Sequence, residues 1–394
     1  MKRSSQLVHF DAAPGDPNQP TSTPIYQTAT FAQSDPLAFG PYDYSRSGNP
    51  TRAVLEQQLA RLDGGTHAFS FASGMAAIDT VSRLVPAGGR IVAGRDLYGG
   101  TWRLLHRVAH AAGVAVQFVD TAHLESVAAA VAGADLLLLE TPGNPMLGIT
   151  DLAAVAHLCQ ANGCIFAVDS TLMTPLLQRP LEQGADLVIH SATKGLSGHS
   201  DLCAGAVVTD KPELAERLGF LQNATGTALG PFESWLLLRG MKTLSVRLRQ
   251  QQSTAMRIAH WLQEQPGVRA VYYPGLSSHP NQRLHAQQAQ GPGPLLSFTT
   301  GSRERSAKWV RALSLFTTAV SFGGVNSVAS LPCRMSHASI PEAHRNQLAL
   351  PEDLVRLSIG IEDPDDLLAD LAISQRILTE NRPTPTASPT LRLG

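Results

Sequence analysis

The sequence predicts an α/β fold: a mostly parallel sheet with helical crossovers, followed by a smaller C-terminal α+β domain. Three observations predict it. Short apolar, β-rich runs alternate with helical periodicities from residue 51 to about residue 245, the pattern of a parallel sheet whose connections are helices. Several of these runs end on polar residues, namely Glu140, Asp169 and His190-Ser191, and chemistry in such sheets gathers at the carboxyl ends of the strands. Beyond about residue 245 the alternation gives way to a mixed pattern.

Taken in order, residues 1–50 are rich in Pro, Thr, Ser and Gln and show little helical periodicity. They read as an extended arm that lies on another surface, such as a neighbouring subunit. From Thr51 onward Leu55, Leu59 and Leu62 keep helical spacing, and Gly64-Gly65 ends the helix. Strands are expected at Ile91-Val92, Val114–Val119, Leu136–Leu139, Ile165–Val168, Leu187–Ile189 and Ala206–Val208. Between two of them, Leu152–Ala161 puts Leu152, Val155, Ala156 and Cys159 on one helical face, with Asp151 as N-cap and Gly163 as stop. These elements make up a domain over residues 51–245. A polar helix at Gln250–Gln265 and strands near Leu295–Thr299 and Val355–Ile359 make up a second, over 246–380. Residues 381–394, with three prolines and three threonines, read as a flexible tail.

A length of 394 residues fits two or three units at about 150 residues each. An apolar content of 43% against 16% charged excludes a largely disordered chain. Lys plus Arg is 31 and Asp plus Glu is 32, so the net charge is −1; no basic excess exists to neutralise a phosphate backbone, and no nucleic-acid partner is expected. No apolar run nears the ~18 residues of a membrane helix, so no membrane partner is expected either. Met1-Lys2-Arg3-Ser4 carries two positive charges with no apolar stretch behind them, unlike a secretory signal. Cys159, Cys164, Cys203 and Cys333 form no C-x-x-C pair and have no zinc-finger spacing, which predicts reduced thiols in a cytoplasmic protein and no metal site.

The sharpest local feature is His190-Ser191-Ala192-Thr193-Lys194-Gly195, where an apolar strand runs into hydroxyls, a lysine and a glycine. A lysine there suits a Schiff-base role, its amine attacking a carbonyl while neighbouring hydroxyls hold a phosphate. A surface lysine in a polar loop fits the spacing equally well. Asp169 ends another strand about 25 residues earlier. It suits a partner for a pyridinium nitrogen, a charge that makes such a ring an electron sink, although an Asp capping the next segment is the plainer reading. Ser73-Gly74-Met75-Ala76 opens a helix whose free N–H groups suit an anion. Neither G-x-G-x-x-G nor a Walker motif occurs, so dinucleotide and ATP readings lose ground. Tyr44 and Arg46 offer a phenol and a guanidinium for a phosphate, or belong to an ordinary loop. Tyr98, beside Gly99-Gly100, could stack on a flat ring. Asn144 lies in a tight loop after Glu140, and Arg356 lies on an apolar strand, where it is either a paired core cation or a carboxylate receptor.

Together these residues resemble one family. S-A-T-K-G-L-S-G-H-S-D-L is similar to the lysine motif of the pyridoxal-phosphate enzymes of Cys/Met metabolism, the cystathionine γ-synthase-like group with the aspartate aminotransferase-like fold (fold type I). Y-D-Y-S-R-S-G-N-P-T, S-G-M-A-A, L-Y-G-G-T, E-T-P-G-N-P, V-D-S-T and L-V-R-L-S-I-G-I-E-D follow in the family's order, and the likeness runs from about Ser22 to Ser374. G-P-Y-D-Y-S-R-S-G-N-P-T-R, F-L-Q-N-A-T-G, A-V-S-F-G-G-V-N-S and P-C-R-M-S-H-A-S-I-P most resemble the plant-type cystathionine β-lyases.

The resemblance implies pyridoxal 5'-phosphate as cofactor. Lys194 would bond its aldehyde and then shuttle protons, and Asp169 would hold the ring nitrogen. Gly74, Met75, Ser191 and Thr193 would bind the phosphate, with Tyr44 and Arg46 reaching it from a neighbouring subunit of a homotetramer built as paired active dimers. Tyr98 would stack on the ring and Asn144 would meet the ring's phenolic oxygen or the substrate carboxylate. Arg356, helped by Ser321, would grip that carboxylate.

The implied reaction is carbon–sulfur β-elimination, converting L-cystathionine to homocysteine, pyruvate and ammonia in methionine biosynthesis and transsulfuration. The alternative within the family is γ-replacement or γ-elimination, as in cystathionine γ-synthases and γ-lyases. Gly100 stands where methionine γ-lyases carry Cys, which argues against that activity, and Val320 is apolar where many γ-synthases and γ-lyases carry Glu, which points away from those activities. Ser170 replaces the family's common Asn, with a small effect expected. Asn326 replaces a frequent Glu, and nothing in the sequence accounts for it.

Overall fold

The computed structural model describes residues 1–336 and 350–380. The expected tail at 381–394 and the end of the P-C-R-M-S-H-A-S-I-P stretch lie outside the described residues.

Seven strands form the first sheet: β1 (His67–Phe71), β2 (Arg90–Gly94), β3 (Ala115–Val119), β4 (Leu136–Glu140), β5 (Ile165–Asp169), β6 (Leu187–His190) and β7 (Gly205–Thr209). Their spatial order is β1-β7-β6-β5-β4-β2-β3. From β6 to β3 every pairing is parallel, and β7 alone runs against its neighbours β1 and β6. The parallel strands are near-continuous apolar runs because helices cover both faces. Leu136 to Leu139 is apolar throughout and fully buried. Ile91, Ala93, Leu136, Leu138, Ala167, Leu187 and Ile189 fill one face. Val92, Leu137, Leu139, Phe166 and Val168 fill the other, continued by Val188, Ala206 and Val208.

The helix Pro50–Asp63 shows how local chemistry sets an element. The Asn49 side chain accepts the N–H groups of Thr51 and Arg52, Pro50 occupies the first turn, and Gly64 closes the helix at φ +80°. Leu55, Leu59 and Leu62 are fully buried beneath it, each contributing about 1.5–3 kcal/mol of apolar burial. Leu152–Asn162 likewise begins at Asp151, whose carboxylate accepts the Ala154 N–H at 3.0 Å, and ends at Gly163 with φ +66°.

The first residues are not a free arm. Arg3–Gln6 form a helical turn, and Leu7 is buried in the core with Leu55 and Leu59. Farther along, the segment does leave apolar groups uncovered: Leu37 is 95% and Phe39 63% exposed.

The second sheet has the order β10-β11-β12-β9-β8, from β8 (Ala270–Tyr272), β9 (Leu295–Thr299), β10 (Thr317-Thr318), β11 (Val328–Ser330) and β12 (Leu354–Ser358). All its pairings are antiparallel except β10 with β11. The helix Leu244–Gln263 joins the two sheet units. Leu244 and Leu248 pack in the first core, while Ala255, Ile258, Ala259 and Leu262 pack in the second.

Candidate active site

Lys194 lies four residues beyond the end of β6. Its Nζ donates to Ser321 Oγ at 2.7 Å and lies 5.6 Å from the centre of the Phe322 ring. Burial lowers the pKa of its ammonium, as does the nearby Arg356 guanidinium, which shifts the balance toward the free amine. The loop that carries it is clamped by Arg247, whose guanidinium donates to the carbonyls of Gly195 at 2.8 Å, Leu196 at 3.3 Å and Gly240 at 2.9 Å. Burial brings the Arg247 pKa down to about 10, and it remains a cation at neutral pH.

Asp169 ends β5, in register with Glu140 on β4 and Ile189 on β6. Its Oδ1 accepts the Thr171 N–H at 3.0 Å and a short bond from the Thr171 hydroxyl. That hydroxyl accepts the Ser191 N–H at 2.7 Å. Thr171 therefore ties the carboxylate to the residue beside the Gly74 helix terminus. Burial pushes the Asp169 carboxyl up from the usual range, opposed by the Thr171 bonds and by the charges of His190 and Lys194. A cation against Asp169 would hold it ionised.

Ser73 caps the helix Gly74–Ser82, its side chain accepting the Ala76 N–H. The first-turn N–H groups of Gly74 and Met75 have no intrahelical acceptor and suit an anion. A Cβ on Gly74 would come within 2.7 Å of Ser191 Cβ and 2.9 Å of its Oγ, so only glycine leaves this cradle open. The Thr193 hydroxyl is engaged with Ala204, donating to its carbonyl at 3.2 Å and accepting its N–H at 2.9 Å.

Arg356 on β12 is 2% exposed. Its Nη1 donates to Asn144 Oδ1 and its Nη2 to the Ser321 carbonyl, both at 2.9 Å, while Nε is buried with no hydrogen-bond partner among the described residues. Burial lowers its pKa to about 10, against the pull of Glu140. Ser321 receives both cationic side chains and holds φ +84°, a left-handed backbone that is uncommon for a residue with a Cβ. Glu140 is buried and accepts the Tyr98 N–H at 3.3 Å; burial, with Asp169 and Asp96 nearby, pushes its carboxyl well above the usual range. The Tyr98 ring lies over Gly100, where a Cβ would come within 2.4 Å of it, and Met75 Sδ is the next neighbour of that position.

The structure thus joins Lys194, Ser321, Arg356 and Asn144 in one hydrogen-bonded set, Asp169 and Ser191 through Thr171, and Tyr98, Gly74 and Met75 beside them. Tyr44 and Arg46 are not joined to this set by any hydrogen bond or ring contact among the described residues. Arg46 lies over the Tyr44 ring at 5.4 Å and donates to the Asn223 carbonyl at 2.7 Å. Arg52 steadies that segment through the carbonyls of Ser45 and Arg46. Thr171, Glu140 and Arg247 were not marked as site residues by the sequence alone, although Glu140 stood out as a polar strand end.

An anion cradle, a lysine whose pKa is lowered by burial and a buried carboxylate whose second oxygen accepts no hydrogen bond among the described residues suit a phosphorylated pyridine aldehyde. Comparison with known proteins agrees. Residues 4–375 match the family described as Cys/Met metabolism PLP-dependent enzyme, and the chain belongs to it. Its cofactor is therefore pyridoxal 5'-phosphate. The chain is 50% identical over 372 residues to the chloroplastic cystathionine beta-lyase of Arabidopsis thaliana, covering 94% of this chain and 80% of that one. It is 46% identical to the cystathionine beta-lyase of Bacillus subtilis, covering 93% and 94%. Among solved structures, cystathionine gamma-lyase from Lactobacillus plantarum with L-serine superposes with TM-score 0.94 at 42% identity, covering 96% of this chain and all of that one. The fold is accordingly that of the pyridoxal-phosphate lyases and synthases of this group.

Proposed function

We propose that this chain is a carbon–sulfur lyase that carries out β-elimination on L-cystathionine, consuming water and releasing homocysteine, pyruvate and ammonia. The observation that carries the reading is the convergence on Ser321: Lys194 Nζ reaches its hydroxyl at 2.7 Å and Arg356 Nη2 its carbonyl at 2.9 Å. A base and a carboxylate receptor are thereby fixed on one residue, which sets the substrate Cα–H toward the amine.

The bound cofactor supplies an electron sink for the carbanion at Cα. The chain's own groups do the rest. Arg356 and Asn144 grip the α-carboxylate. Lys194 takes the Cα proton at Nζ and delivers a proton to the leaving sulfur, its pKa lowered by burial and by the Arg356 charge. Asp169 holds the ring nitrogen charged, Tyr98 stacks on the ring, and Gly74, Met75, Ser191 and Thr193 hold the phosphate. Tyr44 and Arg46 reach that phosphate in a neighbouring subunit, which makes the active unit a dimer and the assembly a homotetramer of paired dimers. The names of the Arabidopsis thaliana and Bacillus subtilis relatives favour β-cleavage, as does Val320, an apolar side chain 58% exposed beside Ser321. The bacterial relative favours a cytoplasmic setting, and no helix among the described residues is long and apolar enough to cross a membrane.

The test is the keto acid formed from cystathionine. Pyruvate with homocysteine is expected, and Lys194→Ala is expected to abolish its release. The structural likeness to a cystathionine gamma-lyase keeps γ-cleavage as the second reading, and 2-oxobutyrate as product would establish it instead.

A further inference from the structure

His190 and Asp63 form a buried hydrogen-bonded pair that none of the roles above uses. His190 Nε2 meets Asp63 Oδ2 at 3.0 Å and Oδ1 at 3.2 Å, and both side chains are wholly inaccessible to water. Its Nδ1 faces the Ser170 carbonyl without a well-formed hydrogen bond. Asp63 is the last residue of the helix Pro50–Asp63, where a carboxylate meets the negative end of the helix dipole and an imidazolium is welcome. A buried pair of this kind is a poor stability device, since apolar replacements are often as stable.

Its position suggests a different use. His190 is the residue after Ile189, the register partner of Asp169 on the adjacent strand. Side chains alternate along a strand. Val188, and with it His190, faces the core that holds Leu55 and Leu59, whereas Ala167, and with it Asp169, faces the opposite side. The imidazole therefore sits behind Asp169, across the end of the sheet.

We propose that His190, held as an imidazolium by Asp63, is a positioning residue that backs the Asp169 carboxylate and keeps it ionised toward the ring nitrogen of the cofactor. The charges then alternate in sequence: Asp63, His190, Asp169, ring. Burial alone pushes the His190 imidazole down, but the charge and hydrogen bond of Asp63, with the charge of Asp169, outweigh it and raise it above its ordinary value. Reciprocally, His190 is among the groups that hold the Asp169 carboxyl down against burial. Ser170, the family departure, supplies the carbonyl that Nδ1 faces, so its side chain is not needed for this contact.

The inference rests on reading Asp169 as the partner of the ring nitrogen, and the test separates the two. Holoenzyme is loaded with pyridoxal phosphate labelled with 15N at the ring, and the nitrogen signal reports its protonation directly. In Asp63→Asn and His190→Gln the signal is expected to move toward the unprotonated value, with kcat falling about tenfold, the equivalent of one pKa unit, and KM changing less than about twofold. Asp169→Asn is the control: if it leaves the signal in place, the reading of Asp169 itself fails. If Asp169→Asn moves the signal and the other two do not, only the proposed backing fails. The double variant Asp63→Leu with His190→Phe guards against misfolding. Recovery of thermal stability with the signal still displaced supports the proposal; recovery of both assigns the pair to packing and overturns it.

Discussion

Replacing Thr171 by valine removes one hydroxyl and keeps the shape, which isolates the link between Asp169 and Ser191. The lost O–H bond to a carboxylate is worth about 1.5–3 kcal/mol, and the Ser191 N–H left without its 2.7 Å acceptor costs about 1–3 kcal/mol more. A total of about 2.5–6 kcal/mol follows. At about 2.1 cal/mol/K per residue of unfolding entropy, this lowers Tm by about 3–7 °C. The Asp169 carboxyl also loses a group that opposes its burial, so its pKa rises further. The carboxylate then holds a ring cation less well, and cofactor dissociation is expected to increase about ten- to hundredfold, or 1.4–2.8 kcal/mol in the arithmetic of affinity. Thermal melts of the apoenzyme and a fluorescence titration with cofactor measure the two effects separately. Thr171→Ser restores the hydroxyl and is expected to recover both. A valine variant within about 1 °C of the parent, with cofactor affinity unchanged, would refute the claim that this hydroxyl joins the two ends of the site.

Arg356→Lys keeps the charge but loses the fork to Asn144 and Ser321; KM for cystathionine is expected to rise about ten- to hundredfold with kcat much less affected, as steady-state kinetics will show. Gly74→Ala drives a methyl into Ser191, so cofactor retention after dialysis should fall about tenfold or more while the far-ultraviolet circular dichroism stays intact. Glu140 has its folded pKa raised by burial, so its ionisation destabilises the fold increasingly as pH climbs past the unfolded value of about 4.3. Glu140→Gln removes that cost, and its Tm advantage over the parent should widen between pH 5 and pH 8.5 by roughly a few degrees. For His190 the folded pKa is also raised; the stability its pair adds is fully present below about pH 6.5 and is lost as pH rises through the folded value. Asp63→Asn should therefore flatten the alkaline decline of Tm, and an identical decline in both proteins would contradict the charged pair.

Much of the fold is written in local pattern. The interior strands were legible because each is an apolar run long enough to cross a sheet covered on both faces, and Leu152–Asn162 was legible because its cap and stop are side-chain chemistry. β1 was missed: His67-Ala68-Phe69-Ser70-Phe71 is short, half polar and directly follows the glycine stop of a helix, so nothing local marks it as a strand. The helix expected at Gln250–Gln265 begins six residues earlier, because its first turns bury Arg247 and Gln251, whose polar heads bond loop carbonyls far away in sequence. The same distance hides Thr171 and Arg247 from a linear reading. Lys194, Asp169 and Arg356 stood out by type and place, but their meeting depends on contacts spanning up to 212 positions. The first ten residues misled for a related reason: one buried leucine, Leu7, outweighs a polar composition.

The Arg247 clamp has a consequence for biosynthesis. The strand that precedes the reactive lysine ends at residue 190, yet the guanidinium that fastens the following loop enters the chain more than fifty positions later. A polypeptide emerging from the ribosome thus presents Lys194 on an unfastened loop until the long connecting helix has been made. Aldehydes met during that interval find a pocket without walls, and faithful loading with the vitamin-derived coenzyme belongs to the period after synthesis has passed that helix.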